Sequence, residues 1–225
     1  TDLAQVYRQK NDYAKAKQTL VDAKSLFPEN GDIKKHLASV EAETGSIMFS
    51  DAANLYQQQK YNEAIAVYNK IQPATAESNL GIGACYQALN NYQMAAEYFK
   101  KAFVLDSTNA ETAYYIGLAY SNMDDLANAK LYANKALSID KNNKNAKDLL
   151  MYTIEQENIA LLDKSMTFYE KKQYNEALAL INKALAQDAT DSNAYYYRAL
   201  VYDEQKKYNE AISDYANAVS YTHLT

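Results

Sequence analysis

Few residues in this chain can end secondary structure, form disulfides or bind metals. The 225 residues include 5 glycines, 2 prolines, 1 cysteine, 2 histidines and no tryptophan. An all-β chain needs turn residues about every 8–12 positions, so this shortage of glycine and proline excludes it, as it excludes collagen-like and Pro/Gly-rich chains. A single cysteine excludes a disulfide scaffold and a cysteine-based zinc site.

The charge balance and the hydropathy exclude further classes of protein. The chain has 23 basic and 28 acidic residues, a formal charge of −5, whereas a nucleic-acid-binding domain is normally basic. No stretch approaches the roughly 18 uninterrupted apolar residues of a membrane span. At 48% hydrophobic residues the chain can bury a core, which excludes disorder. We therefore expect a folded chain with no nucleic-acid partner and no membrane span in this stretch.

The two ends of the sequence are unusual. The chain opens with Thr1 rather than Met and enters directly in a helical pattern, so we expect that an N-terminal part is missing. Residues 219–225 match one reading frame of a transposon end that is joined to DNA fragments in sequencing libraries. We therefore expect 219–225 to be a non-native tail on a bacterial gene fragment. A natural last helical turn is the alternative.

One short pattern recurs six times along the chain, and small residues accompany each copy at fixed offsets. The copies begin at Tyr13, Tyr61, Tyr92, Leu126, Tyr174 and Tyr208. An alanine follows each start by three positions: Ala16, Ala64, Ala95, Ala129, Ala177 and Ala211. Another small residue precedes each start by nine: Ala4, Ala52, Gly83, Gly117, Ser165 and Ala199. Two helices approach closely only where side chains are small, so each copy predicts a pair of antiparallel helices.

The pattern resembles the tetratricopeptide repeat (TPR). Ile82-Gly83-x-x-Tyr86, followed by Ala95-x-x-x-Phe99, matches the Leu-Gly-x-x-Tyr and Ala-x-x-x-Phe positions of that family. The resemblance covers essentially the whole chain, although the family's tryptophan is absent. It implies an all-α fold, a right-handed α-solenoid of antiparallel helix hairpins. We expect one such solenoid over 1–218, with about six to seven hairpins.

The irregular spacing of the copies predicts two long helices. The starts step by 48, 31, 34, 48 and 34 residues, and an added 14 residues leave no room for a helix plus two turns. We therefore predict long helices near 32–59 and 145–172. An apolar stripe in the first is formed by Ile33, Leu37, Val40, Thr44 and Ile47. The short step of 31 predicts that the helix that starts at Tyr61 ends at about Gln72.

The cysteine, the histidines and the glycine pair of this chain could in principle form reactive, metal-binding or phosphate-binding sites. The sequence does not place the necessary neighbouring residues beside them. Cys85 lies inside a predicted helix without a partnered base, so a buried structural thiol is the better interpretation. His36 has no metal-spaced ligand near it, and His223 lies in the suspected tail. Gly81-x-Gly83 follows no strand, which argues against a phosphate loop. We therefore predict no enzyme activity, no cofactor and no metal.

The family resemblance places a partner-binding groove on the first helix of each repeat. The predicted groove residues are Phe49, Tyr56, Tyr114, Tyr115, Asn122, Tyr169, Tyr196, Tyr197 and Asp203. Tyrosine supplies contact area at low entropy cost and a hydroxyl for peptide groups, although the 22 tyrosines could also be filler from an AT-rich genome. The family's clamp for chaperone tails needs Lys, Asn and Arg in the groove. Leu80, Ala84 and Tyr115 stand there instead, so no such clamp is predicted.

Three functions are compatible with this sequence. The leading hypothesis is a non-catalytic protein–protein interaction module, a scaffold that binds a partner peptide or helix in the tyrosine-rich groove. The first alternative is a structural assembly subunit that oligomerises through its long helices. The second is a helper domain of a larger enzyme or envelope lipoprotein.

Overall fold

The chain is helical throughout the part that the structure describes. The computed structural model describes residues 2–222, which form twelve α-helices and no strand. The helices are α1 Asp2–Gln9, α2 Tyr13–Leu26, α3 Gly31–Gln57, α4 Tyr61–Tyr68, α5 Ala76–Ala88, α6 Tyr92–Leu105, α7 Ala110–Ser121, α8 Leu126–Ile139, α9 Lys144–Glu170, α10 Tyr174–Gln187, α11 Ser192–Glu204 and α12 Tyr208–Thr222. The predicted all-α class is confirmed.

The helices group into two compact units, Thr1–Met123 and Asp124–Thr225. In unit 1, each of α1 to α6 packs against the next helix along the chain, and α3 also contacts α5. In unit 2, α8 to α12 pack in the same sequential way, with an added contact between α9 and α11. None of the helices in the described residues is long and apolar enough to cross a membrane.

Every predicted repeat start is the first residue of a helix, namely of α2, α4, α6, α8, α10 and α12. The turn before each of these helices contains a left-handed residue two positions ahead of the start: Asn11, Gln59, Asn90, Asp124, Lys172 and Lys206. At Gln59 the amide of Lys60 donates to the Leu55 carbonyl, and the amide of Gln59 donates to the Tyr56 carbonyl. This pair of hydrogen bonds is a Schellman motif, which satisfies the last carbonyls of the first helix.

The small residues of the repeat lie where the helices touch. The alanines three positions after each start are buried in all six copies. The small residues nine positions before each start are also buried. A large residue four positions after the alanine is buried beside them in four copies: Leu20, Tyr68, Phe99 and Ile181. Close backbone approach therefore alternates with a bulky layer, as the repeat pattern predicts.

Two local predictions differ from the structure. Helix α4 ends at Tyr68, four residues before the predicted end at Gln72. Ile47, the last residue of the predicted apolar stripe, is 44% exposed. The reason is that α3 changes partners along its length: Leu37 and Val40 belong to a core with α1 and α2, whereas Ala52 belongs to a core with α4 and α5. Ile47 lies between the two cores.

Helices α3 and α9 contain 27 residues each, and α3 continues through Gly45 without a break. At the other end of the chain, α12 includes the first residues of the suspected tail, through Thr222. The Tyr221 ring stacks on Tyr195 of α11 with 5.6 Å between the ring centroids. The remaining tail residues 223–225, with His223, lie outside the described residues.

Candidate functional site

A cleft of about 570 Å³ opens in unit 1 between α3, α5, α6 and α7. Six residues assigned to the groove from the sequence line it: Phe49, Tyr56, Leu80, Ala84, Tyr115 and Asn122. Tyr92 and Phe99 of α6 and Glu77 of α5 also line it. We call this site the aromatic cleft. The first helices of three successive repeats contribute to it, because α3, α5 and α7 lie side by side in the repeat order.

Two glycines of α5 make room for the rings around the cleft. A Cβ atom on Gly81 would come within 3.0 Å of the Tyr68 ring, and one on Gly83 within 3.0 Å of Cδ1 and Cε1 of Phe99. Phe99 in turn stacks on Tyr115, with ring centroids 5.4 Å apart and planes 24° apart. Gly83, Phe99 and Tyr115 thus form three successive layers behind the cleft. This gives Gly81-x-Gly83 a packing role.

The two adjacent tyrosines of α7 that were predicted to line the groove differ in position. Tyr115 lines the aromatic cleft, whereas its neighbour Tyr114 does not, although the two rings lie 5.3 Å apart. On α3, the Phe49 ring meets Tyr68 edge-on at 5.5 Å, and the Tyr56 ring meets Tyr61 edge-on at 5.3 Å. These edge contacts hold the α3 rings in place at one wall of the cleft.

The electrostatic character of the aromatic cleft is negative. Glu77 is the one charged side chain among the described residues that line it. Burial raises the pKa of Tyr115, and the charge and hydrogen bond of the Glu111 carboxylate raise it further. Burial also raises the pKa of Tyr56. The phenols of Tyr115 and Tyr56 therefore stay protonated at neutral pH.

A second cleft, of about 670 Å³, adjoins the first. One wall is a face of α3 on which four of the six lining residues are small, with Gly45 among them, and the other is the segment between α4 and α5. Its α3 lining residues are Ala38, Glu41, Ala42, Gly45, Ser46 and Phe49. We call this site the small-residue cleft. Phe49 and Glu77 line both clefts, so the two form one continuous depression in unit 1.

The predicted groove residues of unit 2 form a separate group. The exposed Tyr196 ring lies 5.9 Å from Tyr197 and 5.9 Å from Tyr215 of α12, and Tyr169 lies 6.0 Å from Tyr174. Burial raises the pKa of Tyr169, and nearby charges that include Glu204 and Asp203 raise it further. We call Tyr169, Tyr196, Tyr215 and Asp203 the tyrosine cluster.

Tyr197 has a different environment from its neighbour. It is half-buried and packs against the core of α9, α10 and α11. Tyr215 of α12, which was not among the predicted groove residues, joins the tyrosine cluster through its contact with Tyr196. Glu77 and Tyr92 were not predicted as site residues either. The one available signal was that Glu77 precedes the predicted Leu80 by about one helical turn on α5; Tyr92 begins the next helix and carried no such signal.

The structure shows the surroundings of Cys85, the candidate nucleophile, and of His36, a candidate metal ligand. Cys85 is fully buried, and burial raises the pKa of its thiol to about 11. It is therefore a protonated core thiol at neutral pH. His36 is half-buried on α3. Within residues 2–222 no group of three or more His, Cys, Asp or Glu side chains is arranged to hold a metal ion.

Curated relatives resemble the chain over most of its length. Tetratricopeptide repeat protein 16 of Mus musculus is 23% identical over 96% of this chain and 28% of its own length. A probable UDP-N-acetylglucosamine–peptide N-acetylglucosaminyltransferase SPINDLY of Hordeum vulgare is 26% identical over 87% of this chain and 19% of its own length. The chain thus spans less than a third of the length of these relatives.

Among solved structures, the first TPR of Spaghetti (RPAP3), bound to an HSP90 peptide, is 20% identical to this chain. The match covers 51% of this chain and 93% of that one, with a TM-score of 0.49.

Family models assign the chain to a family. One described as "Tetratricopeptide repeat" matches residues 1–30, 76–109 and 110–143. A second with the same description matches residues 180–213. These matches cover more than half of the chain, and the chain therefore belongs to the tetratricopeptide repeat family.

Proposed function

We propose that the aromatic cleft of this protein-interaction module binds a segment of a partner protein and that the chain itself is not catalytic. The observation that supports this proposal is that the side chains of α3, α5 and α7 converge on one open cleft. A surface built from three successive first helices can contact several residues of one bound segment. Its aromatic rings are the side chains that dominate binding energy at protein interfaces.

The shape of the depression favours a segment over a small molecule. The aromatic cleft continues into the small-residue cleft through Phe49 and Glu77, so an occupant can extend beyond one pocket. Small side chains on α3 allow the backbone of that occupant to approach closely. We propose an extended or helical peptide with an aromatic or aliphatic anchor in the aromatic cleft.

A second candidate function is that of a binding domain within a longer protein. The length of the curated relatives favours it, since the chain covers 19% of the barley SPINDLY protein and 28% of mouse tetratricopeptide repeat protein 16. In that arrangement the same cleft would bind the substrate or regulator of another domain. Both candidate functions use the same cleft. They differ in whether the chain acts by itself or as one domain of a longer protein.

Selection of peptides from an unbiased display library tests the proposed site. The full chain is used as bait for random twelve-residue peptides, and the affinity of the selected peptides is then measured on variants. Tyr115→Ala removes a cleft ring, and Ala84→Met fills the cleft without removing a side chain. Tyr152→Ala, an exposed tyrosine on α9, is the matched control.

We expect Tyr115→Ala to weaken binding at least about tenfold, because interface aromatic anchors contribute about 2 kcal/mol or more each. Ala84→Met should weaken it as well, and Tyr152→Ala should leave it unchanged. Circular dichroism and the thermal midpoint show whether each variant is folded. If the peptides bind both cleft variants as tightly as the wild type, the aromatic cleft is not the site.

A further inference from the structure

Aromatic rings and a carboxylate line the aromatic cleft, and no basic side chain does so among the described residues. The rings are those of Phe49, Tyr56, Tyr92, Phe99 and Tyr115. Glu77 lines both clefts of the depression, and its side chain is exposed. No lysine or arginine of the described residues lies within 4.0 Å of its carboxylate. Its charge is therefore available to an occupant.

Unlike Glu77, the other carboxylates around the depression have a partner within the described part of unit 1. Glu41, in the small-residue cleft, pairs with Lys17 at 3.0 Å, so its charge is balanced within unit 1. Glu111 accepts a hydrogen bond from the Tyr115 hydroxyl, which makes the phenol ring richer in electrons. Glu77 and the polarised Tyr115 ring are thus two separate sources of negative potential in one cleft.

The ligand group that fits this arrangement is a cation, either the planar guanidinium of arginine or the compact ammonium of lysine. The face of an aromatic ring carries negative potential and attracts Lys, Arg or ammonium groups within about 6 Å of its centroid. A guanidinium group can also pair with a carboxylate through two hydrogen bonds. An acidic side chain would meet the same negative groups and be repelled by them.

We infer that the aromatic cleft receives a cationic side chain of the partner segment, an arginine or a lysine, held against the Tyr115 ring and paired with Glu77. This inference rests on the proposed function, because it names the chemistry of the segment that the cleft binds. The partner is accordingly a protein with a basic segment. The net charge of −5 favours its approach, since opposite net charges speed encounter.

Three pools of synthetic peptides test the inference directly. Each is a nine-residue, fluorescein-labelled, end-blocked peptide with eight positions randomised among neutral residues. The central residue is arginine, its neutral isostere citrulline, or glutamate. Binding to the full chain is measured by fluorescence anisotropy at 50 and 300 mM NaCl. Glu77→Gln removes the cleft charge, and Glu63→Gln removes a matched exposed carboxylate from the first turn of α4.

We expect the arginine pool to bind about tenfold more tightly than the citrulline pool at low salt and the glutamate pool to bind most weakly. The arginine advantage should decrease at high salt. Glu77→Gln should reduce it several-fold, whereas Glu63→Gln should leave it unchanged. Equal binding of the arginine and citrulline pools, stronger binding of the glutamate pool, or no binding of any pool overturns the inference.

The outcomes separate this inference from the proposed function. If the unbiased library yields peptides without basic residues whose binding is still lost in Tyr115→Ala, the cleft is a binding site and the cationic specificity is wrong. If the library peptides are indifferent to Tyr115→Ala, the proposed site itself fails.

Discussion

Two repeat positions are occupied by small residues on α5 of unit 1 and by large ones on α11 of unit 2. Eleven and eight residues before the following repeat start, α5 carries Gly81 and Ala84, whereas α11 carries Tyr197 and Leu200. In unit 1 these positions line an open cleft. In unit 2 Tyr197 packs against the core. Tyr115 of α7 stands at the position of Tyr197 and still lines the cleft, so the repeat sets where a side chain lies, and the side chains on neighbouring helices decide whether that place is open or filled.

The cores of the two units differ in charge as well. In unit 2 the Arg198 guanidinium donates to both carboxylate oxygens of Asp214, with N···O distances of 2.6 and 2.9 Å, and also to Asn182. The equivalent positions of the α5–α6 pair hold Ile82 and Tyr98. The α11–α12 pair of unit 2 thus holds an ion pair where the α5–α6 pair of unit 1 holds an aliphatic and an aromatic side chain.

Removing the cation of that pair should have the largest effect on stability. We expect Arg198→Met to cost about 2–4 kcal/mol, because Asp214 is 4% exposed and would remain buried without a partner. Arg198→Lys keeps the charge but loses the two-pronged contact, so its cost should be smaller. Urea denaturation measures both. A loss below about 0.5 kcal/mol for Arg198→Met would show that unit 2 does not rely on the pair.

Adding a methyl group behind the aromatic cleft should have the next largest effect. Gly83→Ala places a Cβ against the Phe99 ring, so we expect a loss of about 2 kcal/mol from overpacking. Gly45→Ala is the matched control in the same unit, because its Cβ would meet only Ile71 Cγ2 at 3.6 Å. That substitution should gain up to about 1 kcal/mol from helix propensity. Thermal and urea unfolding would contradict the layered packing if both variants gained stability.

Alkaline pH should destabilise the fold through unit 1, which holds the one cysteine of the chain. The pKa of the buried Cys85 is raised from 9.0 to about 11, so the unfolded chain releases this proton at lower pH than the folded chain. Stability from this group is complete below pH 9 and is lost as the pH rises toward 11. We expect a loss of about 1 kcal/mol by pH 10. Urea midpoints from pH 8 to pH 10 measure it, and a Cys85→Ala chain with the same slope would contradict this assignment.

The smallest expected effect concerns the left-handed residues in the turns. Lys206 in unit 2 and Asn90 in unit 1 have φ values of 63° and 57°. A left-handed conformation costs about 1–2 kcal/mol for most side chains, less for asparagine and least for glycine. We therefore expect Lys206→Gly to gain about 0.5–1 kcal/mol and Asn90→Gly to gain almost nothing. Equal gains at both positions would show that the side chain does not matter there.

Sequence reasoning could locate the repeat because its signals are local. The spacing of Ala95 and Phe99 within one helix, and of Tyr92 from Leu126 in the next repeat, reflects helical periodicity and the length of one hairpin. Such spacing follows from the geometry of a single α-helix and the need for small residues at helix contacts. The same reasoning missed the end of α4 and the exposure of Ile47, and the latter depends on which core each part of α3 packs against.

From the sequence alone came the all-α class, the repeat family and the first residue of every second helix, because each is dictated by patterns within about one repeat length. Only the tertiary structure separated Tyr115, which lines the cleft with Phe49, from Tyr114, which does not line it, and from Tyr197, which packs against the core. It also placed Glu77 among the rings as the charged group of that cleft. These facts depend on the size and direction of side chains from helices that are distant in sequence, and no one-dimensional spacing encodes them.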